Sequence, residues 1–340
     1  MGFKRIASLM CTVALMLLVG LNIGSAQAAV LDEVKGRGSI ICGVNDQLPG
    51  FGNVDSAGKY IGFDVDICRA TAAAVFSDPE KVQYVAITSA NRQSVMQAGE
   101  VDLLSRNTTF TLTRDREWGV TFGPTTFHDG QGFIVPKELG ITKIEELDGA
   151  TICVISGTTT ELNLADTFRA RGLEFTPVVF DGDDASFTAY EEGRCDVNTG
   201  DTSALVSRRA VLKDPSAHVI LEEVISKEPL GPLVTQGDPQ WSDIMDWVVY
   251  TLFYAEELGI TSENVDTFLT SKDPNILRFL GKDGNLGELL GLTPDFAVNI
   301  IKGVGNYGEM FDRNLTPIGM PRGVNAAYTK GGILYSPPFR

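Results

Sequence analysis

Between residues 39 and 260 short apolar runs alternate with windows of helical periodicity, and the alternation predicts two successive α/β units. Residues 40–44 (IICGV) are apolar throughout, as in a strand buried on both faces of a parallel sheet. Phe63, Ile67, Ala70 and Ala74 repeat at the spacing of one helix face, so 63–76 reads as a helix. Residues 82–85 form the next strand, 91–98 a short helix and 101–104 a third strand, after a loop at 45–58 rich in Gly, Pro, Asn and Asp. This βαβαβ order implies a mainly parallel sheet covered by helices, whose ligands gather at the carboxyl ends of the strands.

A second series of the same class comes next, with strands at 151–155, 175–180 and 195–197 and helices at 161–171, 187–192 and 203–212. Residues 122–135 (FGPTTFHDGQGFIV) pass from turn formers to a strand, and 229–234 carry another loop and strand. The window 241–257 places residues 244, 245, 248, 249, 252 and 253 on one apolar face. The simplest account has the chain cross to a second lobe near residue 128 and return near 236. Lobe 1 is then 29–128 with 237–340, and lobe 2 is 129–236. The tail beyond 261 holds helical windows near 276–280 and 296–301 and packs onto lobe 1.

The first residues stand outside this fold. Lys4 and Arg5 precede an apolar run at 6–19, and Ala26-Gln27-Ala28 has the small-x-small form of a cleavage site. Gly20, Asn22 and Gly24 interrupt the run before it is long enough to span a bilayer, so residues 1–28 read as a cleaved export signal and the mature chain as a soluble periplasmic protein. Removing them leaves 312 of the 340 residues and takes the formal charge from −16 to −18, which argues against nucleic acid or an anionic membrane as partner. Cys42, Cys68, Cys153 and Cys195 remain, an even number in an exported chain, with three possible pairings. Because two lie in each half of the chain, the local pairs Cys42–Cys68 and Cys153–Cys195 are expected.

Catalytic and cofactor signals are weak. The two histidines, His128 and His218, lack further ligands at metal spacing, and there is no phosphate-binding G-x-x-x-x-G-K-[ST] loop. Gly303-Val304-Gly305-Asn306-Tyr307-Gly308 matches G-x-G-x-x-G but comes after a helical window, so it reads as a helix stop; Asp181-Gly182-Asp183-Asp184 reads as a solvated turn. No metal or cofactor is expected.

Anion-binding signals are stronger. Arg106 to Arg114, RNTTFTLTR, comes directly after a strand and sets Thr108, Thr109 and Thr111 between two guanidinium groups. An arginine fork can hold a carboxylate through two bonds, which lysine cannot do. Thr158 and Thr159 open a helix, where N-caps are found and where free N–H groups attract anions. Asp201 lies after a strand and can accept an ammonium group. Together these supply donors for a carboxylate and an acceptor for an amine, divided between the lobes.

The runs Gly62-Phe63-Asp64-Val65-Asp66-Ile67, Asn107-Thr108-Thr109-Phe110-Thr111-x-x-Arg114 and Ser156-Gly157-Thr158-Thr159 resemble successive motifs of the family 3 periplasmic solute-binding proteins of ABC importers. The stretches at 129–135, 157–166, 191–196, 255–266 and 331–340 are similar to those of the general L-amino acid-binding group, and the likeness covers essentially all of the mature chain. The resemblance implies the type II two-lobed fold, two crossing hinge strands and a cleft that closes on a free L-amino acid for delivery to a membrane permease. Because contacts to the ligand backbone would carry most of the affinity, side-chain selectivity is expected to be broad, with Arg106 tilting it toward polar, acidic and amide side chains, and a monomer is expected. On the family pattern Arg114 and Thr109 hold the ligand carboxylate, with Thr159 and the adjacent Thr158 contributing from lobe 2, and Asp201 holds the ammonium. Arg116 is a rival to Arg114 that the spacing from Asn107 disfavours. Thr111 is expected to lend its backbone to the carboxylate, Asn107 its carbonyl to the amine, and Arg106 to meet the ligand side chain. Leu48 stands where many members have an aromatic wall. The alternative is a cyclohexadienyl or arogenate dehydratase on the same fold, with a loop carboxylate such as Asp46 as acid. A receptor sensor domain is disfavoured because there is no transmembrane stretch after residue 237.

Overall fold

In the computed structural model, which describes residues 29–340, lobe 1 opens with α1 (Val30–Arg37) and β1 (Ile40–Val44). A small antiparallel flap comes after them, made of β2 (Gln47–Leu48), β3 (Gly52–Val54) and β4 (Tyr60–Ile61). Next come α2 (Phe63–Phe76), β5 (Val82–Ala86), α3 (Arg92–Ala98), β6 (Leu103–Leu104), α4 (Leu112–Glu117) and β7 (Val120–Phe122). The chain crosses through β8 (Phe127–Asp129) into lobe 2. There it forms β9 (Gln131–Pro136), β10 (Ala150–Ile155), α5 (Thr159–Arg171), β11 (Phe175–Phe180), α6 (Asp183–Glu191), β12 (Val197–Asp201), α7 (Thr202–Arg209) and β13 (His218–Ile220). It returns through β14 (Glu228–Leu230) to β15 (Leu233–Thr235) and the long α8 (Pro239–Glu257). Short helices α9 (Val265–Phe268), α10 (Pro274–Phe279) and α11 (Leu286–Leu289) lead to α12 (Phe296–Val304) and α13 (Tyr307–Asn314). The export signal assigned to 1–28 lies outside the described residues.

The two sheets share one design. Their orders are β5-β1-β6-β15-β7 and β11-β10-β12-β9-β13. In each, four strands run one way and one runs against them: β15 opposes β6 and β7, and β9 opposes β12 and β13. The reversed strand is in both cases the one that arrives straight from a crossing strand, so it enters the sheet from the hinge side. This is the two-lobed α/β architecture that the resemblance implied. The crossing strands β8 and β14 pair antiparallel, with Glu228 opposite Asp129 and Leu230 opposite Phe127.

The boundaries differ from the expectation at the return. Leu233–Thr235 pairs with Val120–Phe122 in the first sheet, so the return crossing is Glu228–Leu230 and precedes the boundary placed at 236. Helix α6 also begins four residues before the window at 187–192, because Gly182 supplies an extended N-cap and the acidic pair Asp183 and Asp184 sits favourably at the positive end of the helix dipole. The expected solvated turn at 181–184 is therefore a helix start, and Asp183 is only 6% exposed.

Lobe 1 is built on β1, whose residues face α2 on one side. Cys42 in β1 is bonded to Cys68 in α2 with Cα atoms 6.2 Å apart, and Cys153 in β10 is bonded to Cys195 at 5.6 Å, the two local pairs expected. Helices α8, α12 and α13 add Trp241, Phe296, Tyr307 and Phe311 to the same core. Gly305 ends α12 at φ 83°, where a side chain is strained, and Asn306 then caps α13, so the glycine-rich run is a helix-turn-helix joint. Lobe 2 has a separate core around Phe133, Ile152, Leu164 and Phe168.

Candidate functional site

The carboxyl ends of β6 and β12 face one another across the gap between the lobes. From lobe 1 the chain leaving β6 presents Arg106, Asn107, Thr109 and Arg114; from lobe 2 come Thr158, Thr159 and Thr160 at the start of α5, and Asp201 at the end of β12. The lobes also touch at the rim, where Arg208 donates to the Gln47 carbonyl at 2.8 Å and Ser207 to the Pro49 carbonyl at 2.5 Å.

The stretch 106–114 owes its shape to the hinge. Phe110 N–H donates to the Pro229 carbonyl at 2.8 Å and Gly231 N–H to the Thr108 carbonyl at 3.1 Å, which brackets a bridge between Thr109 and Leu230. In such a bridge the central residue's own N–H and C=O point away from the partner strand. The Thr109 carbonyl accepts from Arg114 Nη1 at 2.9 Å on that side, so the Thr109 N–H and the Arg114 fork are brought together facing the cleft. Trp118 backs the guanidinium, its ring centroid 5.1 Å from Arg114 Cζ.

Thr111 is placed elsewhere. Its hydroxyl accepts from Arg114 N–H at 3.2 Å as the N-cap of α4, and it does not line the cleft. Asn107 does line it, with its backbone N–H donating to Asp64 at 2.7 Å and its side-chain amide oxygen accepting from Arg106 at 3.4 Å. Arg116 is exposed on α4. Leu48 is wholly buried in the lobe 1 core rather than in the cleft wall, since β2 pairs with β3 and turns it inward. The aromatic side chain that does line the cleft is Phe187, from α6.

On the opposite side Thr158 is the N-cap of α5, accepting from Glu161 N–H at 3.1 Å. That leaves the N–H groups of Thr159 and Thr160 in the first turn without helical partners, at the end of a helix that favours negative charge. Gln131, wholly buried, ties this turn to β12 by donating to the Thr160 carbonyl at 2.9 Å and to Thr199 at 3.0 Å.

Besides Phe187 and Thr160, further residues in or beside the site escaped the sequence reading. Arg92, at the start of α3, is 2% exposed; it donates to Thr108 at 3.3 Å and crosses to lobe 2 to reach the Gly157 carbonyl at 3.1 Å. Asp183 accepts from Asn45 at 3.3 Å across the lobes and faces Arg106. Glu228, in β14, accepts from the hydroxyls of Thr109 at 2.6 Å and Thr159 at 2.8 Å. Thr109 thus spends its hydroxyl on Glu228, while its N–H points away from the crossing strand. Trp118 is another. Aspartate and arginine at helix starts, as at Asp183 and Arg92, are too common for their spacing to flag them; only the meeting of distant segments does.

The electrostatics are those of a site prepared for a zwitterion. Burial, then Arg114 and Arg106, pulls the Arg92 guanidinium well below the usual arginine range, and burial lowers Arg106 and Arg114 as well. Burial, with Asp129 and Glu228 alongside, raises Asp201 well above the usual carboxylate value, against Arg92 and Arg114. Three crowded cations are relieved by an anion, and three crowded carboxylates by a cation. Among the described residues no group of His, Cys, Asp and Glu is arranged to hold a metal ion, and no helix is long and apolar enough to cross a membrane.

Comparison with known proteins identifies the family. Residues 40–263 match the family model of bacterial extracellular solute-binding proteins, family 3. The chain is 52% identical over 332 residues to a general L-amino acid-binding periplasmic protein of Rhizobium johnstonii, covering 96% of this chain and 97% of that one. It is 49% identical to a glutamate/glutamine/aspartate/asparagine-binding protein of Rhodobacter capsulatus, covering 95% and 97%. Among solved structures it is similar to a periplasmic binding protein of an ABC transporter from Brucella ovis with glutathione bound, at a TM-score of 0.90 and 47% identity, covering 92% of this chain and all of that one.

Proposed function

The chain belongs to the bacterial extracellular solute-binding proteins, family 3, and from that premise we propose that it captures free L-amino acids in the periplasm and delivers them to the membrane permease of an ABC importer. The observation that carries the reading is the division of the cleft. The Arg114 fork and the Thr109 N–H approach from lobe 1, and Asp201 and the N-terminus of α5 from lobe 2. Arg114, Thr109 N–H and the first turn of α5 hold the ligand carboxylate, and Asp201 holds the ammonium group. Arg106 and Arg92 lie beyond them and meet the side chain, which favours acidic and amide amino acids within a broad range. Asn107 buttresses Arg106, and Thr158 holds the helix start in shape.

Charge-assisted hydrogen bonds contribute about 1.5–3 kcal/mol each, so three or four approach the ~8 kcal/mol of micromolar binding before ordering costs. The invariant backbone of the ligand supplies most of the affinity, and its side chain a smaller difference. Because the donors and acceptors belong to different lobes, the ligand contacts the closed form better than the open one and shifts the population toward it. The mature protein begins after Ala28, acts as a monomer, and offers the permease its closed form. It is a binding protein rather than an enzyme: relatives that span the whole chain are named for amino-acid binding, which disfavours the dehydratase reading.

A thermal-shift panel of the common L-amino acids, with D-isomers as controls, tests this. Stabilisation by L-glutamate, L-aspartate, L-glutamine and L-asparagine above that by L-leucine is expected; no shift with any L-amino acid overturns it. Prephenate and arogenate should neither stabilise the protein nor be converted to aromatic product.

A further inference from the structure

Glu228 is 1% exposed, yet it stands beside the cleft as a negative charge within reach of the site proposed to take an anion. Its carboxylate is fully occupied. Oε2 accepts from the hydroxyl of Thr109 at 2.6 Å and from that of Thr159 at 2.8 Å; Oε1 accepts from Ser226 at 2.6 Å and from Asn163 at 2.9 Å. These donors come from three separate bodies. Thr109 belongs to lobe 1, Thr159 and Asn163 to α5 of lobe 2, and Ser226 to the return crossing on which Glu228 itself sits.

We propose that Glu228 is a closure latch: one carboxylate oxygen on the hinge joins a threonine from each lobe, and so sets how long the cleft stays shut. The proposal rests on the reading of the cleft as one that opens and closes around a ligand. Opening carries α5 away from the segment 106–114, so Oε2 cannot keep both threonines and at least one charge-assisted bond breaks. The latch also fixes both hydroxyls as donors to Glu228. It uses no ligand atom, and it therefore biases the empty protein as well as the loaded one.

Glu228→Gln keeps the volume but replaces one acceptor oxygen with a donor, turning it against either the threonine pair or the Ser226 and Asn163 pair. In the full mature chain, stopped-flow with L-glutamate should show the dissociation rate rising at least tenfold with the association rate changed less than threefold. Small-angle scattering of the ligand-free variant should give a larger radius of gyration than wild type. Asn163→Ala, which lies outside the cleft lining, should move both readouts in the same direction by less. Thr159→Val should lose its effect on the dissociation rate when Glu228 is already glutamine. Wild-type dissociation and scattering in a folded Glu228→Gln variant, or additive effects of the two substitutions, would overturn the latch. Failure of wild type to bind L-glutamate would instead count against the proposed ligand, and the ligand-free scattering would still decide the latch.

Discussion

Asn325 completes the hinge from the far end of the chain: its side chain accepts from the His128 N–H at 2.7 Å and donates to the His128 carbonyl at 3.0 Å. His128 lies opposite Pro229 in the pair of crossing strands, and proline has no N–H to give. The polar groups of His128 therefore point outward, and Asn325 satisfies them as a further strand would. Asn325→Ala leaves both half-buried groups without their side-chain partner, at about 1 kcal/mol each. A lower thermal midpoint is expected, and Asn325→Asp, which keeps only the acceptor, should recover part of it. An unchanged midpoint in calorimetry would show that solvent replaces the amide at no cost.

On the proposed site, Arg114→Ala would remove two charge-assisted bonds to the ligand carboxylate, about 3 kcal/mol at the least, so the dissociation constant for L-glutamine should rise more than a hundredfold by calorimetry. Arg114→Lys should restore little, since a point charge cannot reproduce the fork or its stacking on Trp118.

Arg106→Ser and Arg92→Gln should weaken binding of L-glutamate and L-aspartate more than binding of L-leucine. Equal losses across the three ligands would place both guanidiniums outside the side-chain pocket.

The raised Asp201 gives the binding a pH dependence of definite sign. On the proposed site a ligand ammonium group favours the ionised carboxylate, so affinity for L-glutamine should fall as pH is lowered, and binding should release protons. Titration calorimetry in buffers of different ionisation enthalpy reads that release directly. In Asp201→Asn the affinity should be low and the proton release absent.

Asp64 acts on stability in the opposite sense to an ordinary surface carboxylate. Burial raises it from 3.8 to about 6, against the Asn107 N–H and Arg106. The folded protein then binds the extra proton between those values, so the contribution is fully present below about pH 4 and is lost as pH rises through about 6. Asp129, also near 6, acts in the same direction. The ligand-free thermal midpoint should gain from these groups on going from pH 7 to 5, and Asp64→Asn should flatten that part of the profile.

The elements that periodicity defines were legible in the chain: Phe63–Phe76 and Phe175–Phe180 have the expected bounds, and both disulfides join neighbours in sequence. So was the segment 106–114, because its donors are local. Residues whose role depends on another lobe were not. Asp183 reads as part of a polar turn until Asn45 and Arg106 cover it, and Glu228 as one acidic residue among many until Thr109, Thr159 and Asn163 from distant segments join Ser226 in donating to it. Leu48 failed for the converse reason: a position in a motif does not say which face of a two-residue strand turns inward.

The reversed strand in each sheet also bears on how the protein is made. Lobe 2 is one uninterrupted insertion with its own disulfide and with both ends side by side in β8 and β14. Lobe 1 receives β15, α8 and α13 only from the chain beyond β14, and Asn325 is 197 residues from the strand it braces. During export from the N-terminus, lobe 2 can therefore reach its final shape while the pivot beside it is still unfinished. The hinge is complete only once the segment around Asn325 is in place against His128.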